Sequence, residues 1–386
     1  MSWDAIVIGL GGMGSATLSH LAARGRRAIG FEQFGPMHGL GSSHGNSRII
    51  RQTYFLDSRY VGMAKRAYEL WRQLEAATGE SLMTITGGLM LGPRDHNIVD
   101  GALQSATEHS LEHELLESEQ LRRRFPAMSF REGEWALYEP TAGYLRPEAC
   151  IRAHLHHAIA NGAEARFGDA IDRWEASGGG VRVRTKSGET LQAERLIVTA
   201  GAWLGKIGAD IGLPLVVERQ VMHWFAPATS AETTAIEALP IYIVAREDER
   251  IYGFPYVPGE GLKLAFYRSF VETSADRVNR EVAPDEVPPV RAFLEGLIPG
   301  ASAQYRGSKV CLYTLTPDEH FVIGLHPSHS SVVIAGGFSG HGFKFCSVVG
   351  EIVADLAIDG RTRHSIELFS PQRFALQQAS KETPVP

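Results

Sequence analysis

A short apolar strand running into three spaced glycines constrains this chain more than any other feature. Ala5 to Ile8 is continuously apolar, as a buried parallel strand requires. Gly9, Gly11 and Gly14 follow at G-x-G-x-x-G spacing, where the strand must give way to a helix over Met13 to Arg24. The first glycine permits a tight turn and the second lets backbone approach a pyrophosphate. The third lets helix and strand pack closely, and the helix N-terminus offers N–H donors and partial positive charge. Glu32 closes the next strand, Ala28 to Glu32, at about the twenty-residue distance expected of the acid that binds a ribose hydroxyl. Alone, three glycines fit an ordinary turn. With strand, helix and acid in their required places they predict a dinucleotide site, with Gly9, Gly11, Gly12, Met13, Gly14, Glu32 and Gln33 as candidate contacts. The motif leaves FAD and NAD(P) open.

The 386 residues suggest two to three domains with sizeable cores, and 44% apolar with 21% charged residues describes an ordinary globular composition. A net charge of −6 argues against a nucleic-acid partner. No apolar run approaches the roughly 18 residues of a membrane span. The chain opens directly into a strand and ends without a peroxisomal tripeptide. Cys150, Cys311 and Cys346 are too few and too scattered for a disulfide framework or a metal site. A reducing cytoplasm is the expected location.

Gln33 to Arg51 reads as a long loop, and such loops inside compact domains are usually functional. Ser58 to Ala77 reads as a helix with Ser58 as its cap. Thr86 to Leu91 and Trp135 to Tyr138 are strand-like; Asn97 to His109, Glu117 to Arg124 and Pro147 to Asn161 are helical. A hairpin turns at Lys186 to Glu189, and Leu196 to Trp203 is a second buried strand ending in small residues. From Val216 to about Gln304 strands alternate with turns, as in an antiparallel sheet. Strands Lys309 to Leu315, Phe321 to Gly324 and Val332 to Ala335 then lead into the glycine-rich turn Gly336 to Lys344 and a last helix.

Three segments concentrate chemistry. The loop Gly41-Ser-Ser-His-Gly-Asn-Ser-Arg-Ile-Ile-Arg51 carries one imidazole and two guanidiniums suited to phosphate, carboxylate or an anionic ring; equally it could be a solvated basic loop. Gly336 to Lys344 offers N–H groups and a lysine at a helix entry, where an anion is stabilised; otherwise it is a flexible connector. Lys263 lies mid-strand, a setting in which a lysine ordinarily faces solvent, and Cys311 between Val310 and Leu312 is by default an inert buried thiol.

These same residues give the chain a family resemblance. Gly41 to Arg51, Tyr252-Gly-Phe-Pro255 with Lys263, Cys311 to Phe321, and Gly337-Phe-Ser-Gly-His-Gly-Phe-Lys-Phe345 stand in the right order between about Asp4 and Phe369. In them the chain resembles the monomeric sarcosine oxidase and N-methyltryptophan oxidase family of FAD-dependent amine oxidases. The resemblance implies an α/β fold, with a Rossmann-like FAD-binding domain over 1–84, 146–215 and 306–386. A smaller substrate domain with an antiparallel sheet would cover 85–145 and 216–305. It implies FAD joined covalently through a thioether to Cys311, with Ser42, Ser43, Ala200, Gly201, Trp203, Gly340, His341, Gly342 and Phe343 among its contacts. Arg51 and Lys344 would clamp a substrate carboxylate on one face of the flavin ring. Lys263 would promote reaction with oxygen on the other face. His44 and Arg48 would stabilise the reduced ring, and Tyr252 and Tyr313 would line the substrate cavity. The implied enzyme is monomeric: it oxidises an N-methyl amino acid with O₂, giving formaldehyde, the primary amino acid and H₂O₂.

Two positions depart from the family pattern. Ser43-His44-Gly45-Asn46 stands where His-His-Gly-Asp is usual, and Tyr267 stands where a cavity histidine is usual. Sarcosine is therefore the first substrate to consider, with bulkier N-methyl amino acids such as N-methyltryptophan, or cyclic ones such as pipecolate or proline, as alternatives. Two rival readings are an NAD(P)-dependent dehydrogenase, resting on the glycine motif and Glu32 alone, and a non-catalytic FAD-binding module, resting on Tyr267.

Overall fold

A computed structural model describes residues 2–228, 237–247 and 249–374; the C-terminal tail lies outside them. The apolar run at the start forms β1 (Trp3–Ile8), the glycine motif opens α1 (Gly12–Ala23), and β2 (Ala28–Glu32) follows. β1 sits between two parallel partners, β2 on one side and Thr190–Val198 on the other. Val332–Gly336 and Glu164–Phe167 extend this parallel core outward. Helices Pro147–Ala160 and Cys346–Asp359 pack against α1. With both faces covered, the strands are continuously apolar rather than alternating.

The two strands expected around residues 181–199 share one element. Thr190–Val198 alternates exposed and buried residues while it pairs with Gly180–Thr185, then becomes wholly buried where it joins Val332–Gly336. One strand thus serves as hairpin arm and as core strand, and the change of period marks the handover.

Among the described residues a second sheet has nine strands, mostly antiparallel. It combines Gly88–Pro93 and Glu134–Glu139 with the strands between Val216 and Thr273, so residues 85–145 and 216–273 meet in one sheet. The strand bearing Cys311 begins earlier than expected, at Gln304. It pairs along Val216–Ala226 in this second sheet, whereas the sequence reading put residues from 306 onward with the nucleotide half. Two further expectations change. Arg48–Ile50 is not loop but a short strand against Gly143–Leu145, consistent with its two β-branched isoleucines. The helix after it runs Tyr60–Thr78 with Arg59 rather than Ser58 at its N-cap and no side-chain cap bond; in the turn before it the Asp57 carboxylate accepts the Arg59 N–H at 2.9 Å. No helix among the described residues is long and apolar enough to cross a membrane.

Candidate active site

A cavity of about 370 Å³ opens where β1 ends. Its wall includes Gly9, Gly11, Gly12 and Met13 of the glycine motif and Glu32 and Gln33 at the end of β2. Gly9 has φ +87°, and an added Cβ would lie 2.7 Å from the Thr199 carbonyl oxygen, so only glycine makes this turn without strain. Gly14 does not reach the wall. Its Cβ would lie 1.8 Å from the Gly9 carbonyl oxygen, which is the close helix–strand packing expected of the third glycine. Gly11 caps α1 with no side-chain bond, and a Cβ there would meet nothing nearer than Ser43 Oγ at 3.7 Å. The first turn of α1 therefore presents backbone to the cavity, the setting in which a helix N-terminus holds phosphate. The Glu32 carboxylate is fixed by the N–H groups of Leu10 at 3.0 Å and Phe34 at 3.1 Å. This cradle fits a dinucleotide. Ala200, Gly201, Trp203, Ser42, Ser43, Arg48, Gly340, Gly342 and Phe343 also line it, as the sequence led us to expect, and so does Tyr313, whose expected place was the substrate cavity. Met37, His38, Thr199 and the outer residues Asp172, Lys186 and Lys206 line it as well and carried no sequence signal.

The loop between β2 and Arg48 lacks periodicity, and contacts from distant segments shape it. Gly45 N and Asn46 N donate to the Glu148 carboxylate, at 2.6 and 3.2 Å. Ser42 Oγ donates to the Leu312 carbonyl at 2.6 Å, and Arg280 donates to the Leu40 carbonyl at 2.6 Å. Gly45 and Asn46 both have positive φ, conformations that glycine and asparagine tolerate best. Arg48 lies on the cavity wall, bonded to the carbonyls of Ser42 and Ser47.

Lys263 is not on the solvent face. Its strand is buried on both sides, and its Nζ donates to the carbonyls of Gly45 at 2.8 Å and Ser47 at 2.6 Å. Phe254 and Trp224 present ring faces to it at 4.8 and 5.7 Å. Burial, then Arg48, push its pKa well down, while the carbonyls and rings favour the charged form. His44 is buried with neither ring nitrogen hydrogen-bonded. Burial followed by Arg48 and Lys263 lowers its pKa to about 3, so it is neutral at ordinary pH. Cys311 is buried beside Met222, Trp224, Ala265, Tyr313 and Leu315. It does not line the cavity, although its neighbours Leu312 and Tyr313 do, and Arg48 reaches from the wall to Met222 in its cluster at 3.6 Å. Burial raises the thiol pKa, against the pull of Arg48 and Lys263.

A second constellation gathers around Tyr54. The Arg51 guanidinium lies 4.6 Å from the Tyr54 ring centre and 4.3 Å from that of Phe55. Lys344 Nζ lies 5.4 Å from Tyr54 and 5.3 Å from Phe345. Arg51 donates to the Thr53 carbonyl and Lys344 to the His341 carbonyl, and Arg51 Nε is buried without a partner. Among the described residues neither cation has an ion-pair partner. Glu139, whose charge Arg51 feels, is already bonded to Gln52, Thr53 and Thr141. Tyr267 presents a buried hydroxyl, also without a partner, within electrostatic range of Arg51. Tyr313 is buried, and Tyr252 packs against the cluster that holds Tyr313 and Cys311. Lys344, Arg51, Tyr267 and His341 form this inner constellation rather than the cavity wall, and Tyr252 is also off the wall. Tyr54 carries no sequence signal beyond standing three residues after Arg51.

Asp210, His326 and His329 bring ligand atoms within 4.8 Å of one another. His326 Nδ1 accepts the Ser328 N–H at 3.0 Å, so its ring proton sits on Nε2 and points at Asp210 Oδ2, 2.9 Å away. A metal on that nitrogen would move the proton to Nδ1, against a backbone N–H, and the cluster reads as a His–Asp pair.

Residues 4–356 match the family model described as FAD dependent oxidoreductase. The chain is 47% identical to a monomeric sarcosine oxidase of Streptomyces avermitilis over 98% of this chain and 99% of that one. It is 32% identical to an N-methyl-L-tryptophan oxidase of Yersinia pestis over 97% and 100%. Among solved structures it resembles NikD, an amino acid oxidase of nikkomycin biosynthesis, at a TM-score of 0.83, covering 96% and 97%; at 23% identity that likeness speaks for the fold alone. The family match decides the cofactor question the glycine motif left open and removes the NAD(P) reading. The chain belongs to the FAD dependent oxidoreductase family.

Proposed function

We propose that this enzyme oxidises a secondary amino acid, sarcosine first among them, to formaldehyde, the primary amino acid and H₂O₂, and that it acts as a monomer. The observation that carries the reading is the pair of buried cations, Arg51 and Lys344, held on aromatic faces without a carboxylate of the protein's own. Burying two cations with no ion-pair partner is costly, and a substrate carboxylate is the partner that would offset it. The names of the relatives at 47% and 32% identity, a monomeric sarcosine oxidase and an N-methyl-L-tryptophan oxidase, point the same way.

Gly9, Gly11, Gly12 and Met13 would hold the pyrophosphate of FAD, Glu32 its ribose, and Cys311 its ring through a thioether. When bound, FAD would supply the two-electron oxidation of the N-methyl carbon, with O₂ as the final acceptor and water releasing formaldehyde. The chain's own residues govern the rest. Arg51 and Lys344 orient the carboxylate, and their charge lowers the pKa of the nearby amine and favours its reactive neutral form. Arg48, with neutral His44 within its electrostatic range, would supply positive charge to the reduced ring. Lys263 would supply a cation to the reaction with oxygen. Tyr252 and Tyr313 wall the substrate space, and the unpartnered Tyr267 hydroxyl offers one more hydrogen bond to a ligand. Because Tyr267 replaces the usual histidine, a bulkier or cyclic amino acid is the second reading.

A peroxide screen tests this. The purified holoenzyme should release H₂O₂ with sarcosine or another N-alkyl or cyclic amino acid, and not with dimethylamine, which lacks the carboxylate. Equal turnover of dimethylamine would overturn the clamp, and silence with every amine would leave a non-catalytic flavoprotein.

A further inference from the structure

Tyr54 and His341 form a buried hydrogen-bonded pair that no step of this chemistry uses. His341 Nε2 faces the Glu319 carbonyl at 3.0 Å, and a carbonyl can only accept, so Nε2 carries the ring proton. Nδ1 is then the acceptor, and the Tyr54 hydroxyl donates to it. Burial and the Lys344 charge lower the His341 pKa to about 3, which keeps this arrangement neutral. Tyr54 is further fixed by Tyr60, stacked on it at 4.6 Å with an interplanar angle of 20°. The Arg51 guanidinium lies over the same ring, 4.6 Å from its centre. His341 also holds Lys344 through its own carbonyl, at 2.8 Å. One residue therefore anchors the aromatic platform with its ring and the second cation with its backbone. Its side chain does not line the dinucleotide cavity.

Two buried like charges repel each other, and burial followed by the Arg51 charge pushes the Lys344 pKa well down. Something must hold them side by side, and a ring face near both supplies negative potential at the right place. We propose that Tyr54 and His341 are positioning residues, in which the His341 imidazole locks the Tyr54 ring and so holds Arg51 and Lys344 in register for one carboxylate. The inference rests on the clamp reading above.

The test measures the dissociation constants of acetate and of its uncharged isostere acetamide, by calorimetry on FAD-loaded enzyme. Y54F keeps the ring but loses the hydroxyl, and H341L removes the acceptor. Each should weaken acetate roughly tenfold, the effect of losing one buried hydrogen bond, and leave acetamide unchanged. The double variant should be no weaker than either single one, because both break the same link. H341N, which restores an acceptor near Nδ1, should recover most of the affinity. Unchanged acetate binding in Y54F, parallel weakening of acetate and acetamide, or additive effects in the double variant would each overturn the proposal. Should Y54F not accumulate with FAD, H341L against H341N carries the same comparison. R51M separates the two levels of argument. Lost acetate binding there with no effect of Y54F refutes only the positioning role, whereas retained binding in R51M refutes the clamp itself.

Discussion

Lys263→Met isolates the charge at the oxygen face. The ammonium has three donors, and two are spent on the carbonyls of Gly45 and Ser47, so one remains to point away from the loop. A unit charge about 4 Å from a developing superoxide, at an effective dielectric constant of about 20, is worth about 4 kcal/mol. Removing it should slow the oxygen reaction by about a thousandfold. Methionine keeps the length of the side chain, and losing a buried charge offsets part of the cost of leaving two carbonyls without their donor, so the variant should fold. The assay is stopped-flow absorbance in two halves: anaerobic reduction by substrate, then mixing of the reduced enzyme with O₂. Reduction should change little and reoxidation should collapse. The pH dependence gives a second readout. The Lys263 pKa is lowered by burial, and the charged form is the one that serves oxygen. The parent's reoxidation rate should therefore be high at low pH and fall as pH rises through a midpoint below the roughly 10.4 of a free lysine, while Lys263→Met stays flat. Reoxidation as fast as the parent's, or a parent profile without that alkaline fall, would refute the reasoning.

Three further outcomes are expected. Cys311→Ser should bind FAD without a covalent bond, so acid precipitation leaves the yellow colour in the supernatant; colour retained in its pellet would place the attachment elsewhere. Arg51→Ala removes a charged hydrogen bond worth about 1.5–3 kcal/mol, so KM should rise roughly ten- to a hundredfold in steady-state kinetics, and an unchanged KM would put the carboxylate elsewhere. Gly9→Ala forces a side chain to φ +87° with its Cβ 2.7 Å from Thr199 O; it should cost at least about 1–2 kcal/mol, read as a lower melting temperature and reduced FAD content.

The sequence by itself determined the nucleotide half. The period of β1, the spacing of Gly9, Gly11 and Gly14, and Glu32 at the end of β2 are local signals: each residue's role is set by backbone conformation a few positions away. The same holds for the helices over 97–108 and 147–160, whose periodicity and boundary residues lie within reach of one another. Only the tertiary structure decided the rest. Lys263 reads as a surface residue until its strand is seen covered on both sides and its ammonium is found under a loop some 216 residues earlier in the chain. Cys311 reads as part of the nucleotide half until its strand pairs along Val216–Ala226. Tyr54 has no motif at all, and matters because Arg51, Lys344 and His341 converge on it from segments far apart in the chain. Whether a buried charge is paired, and by what, depends on contacts between distant segments, and local sequence pattern carries no record of those.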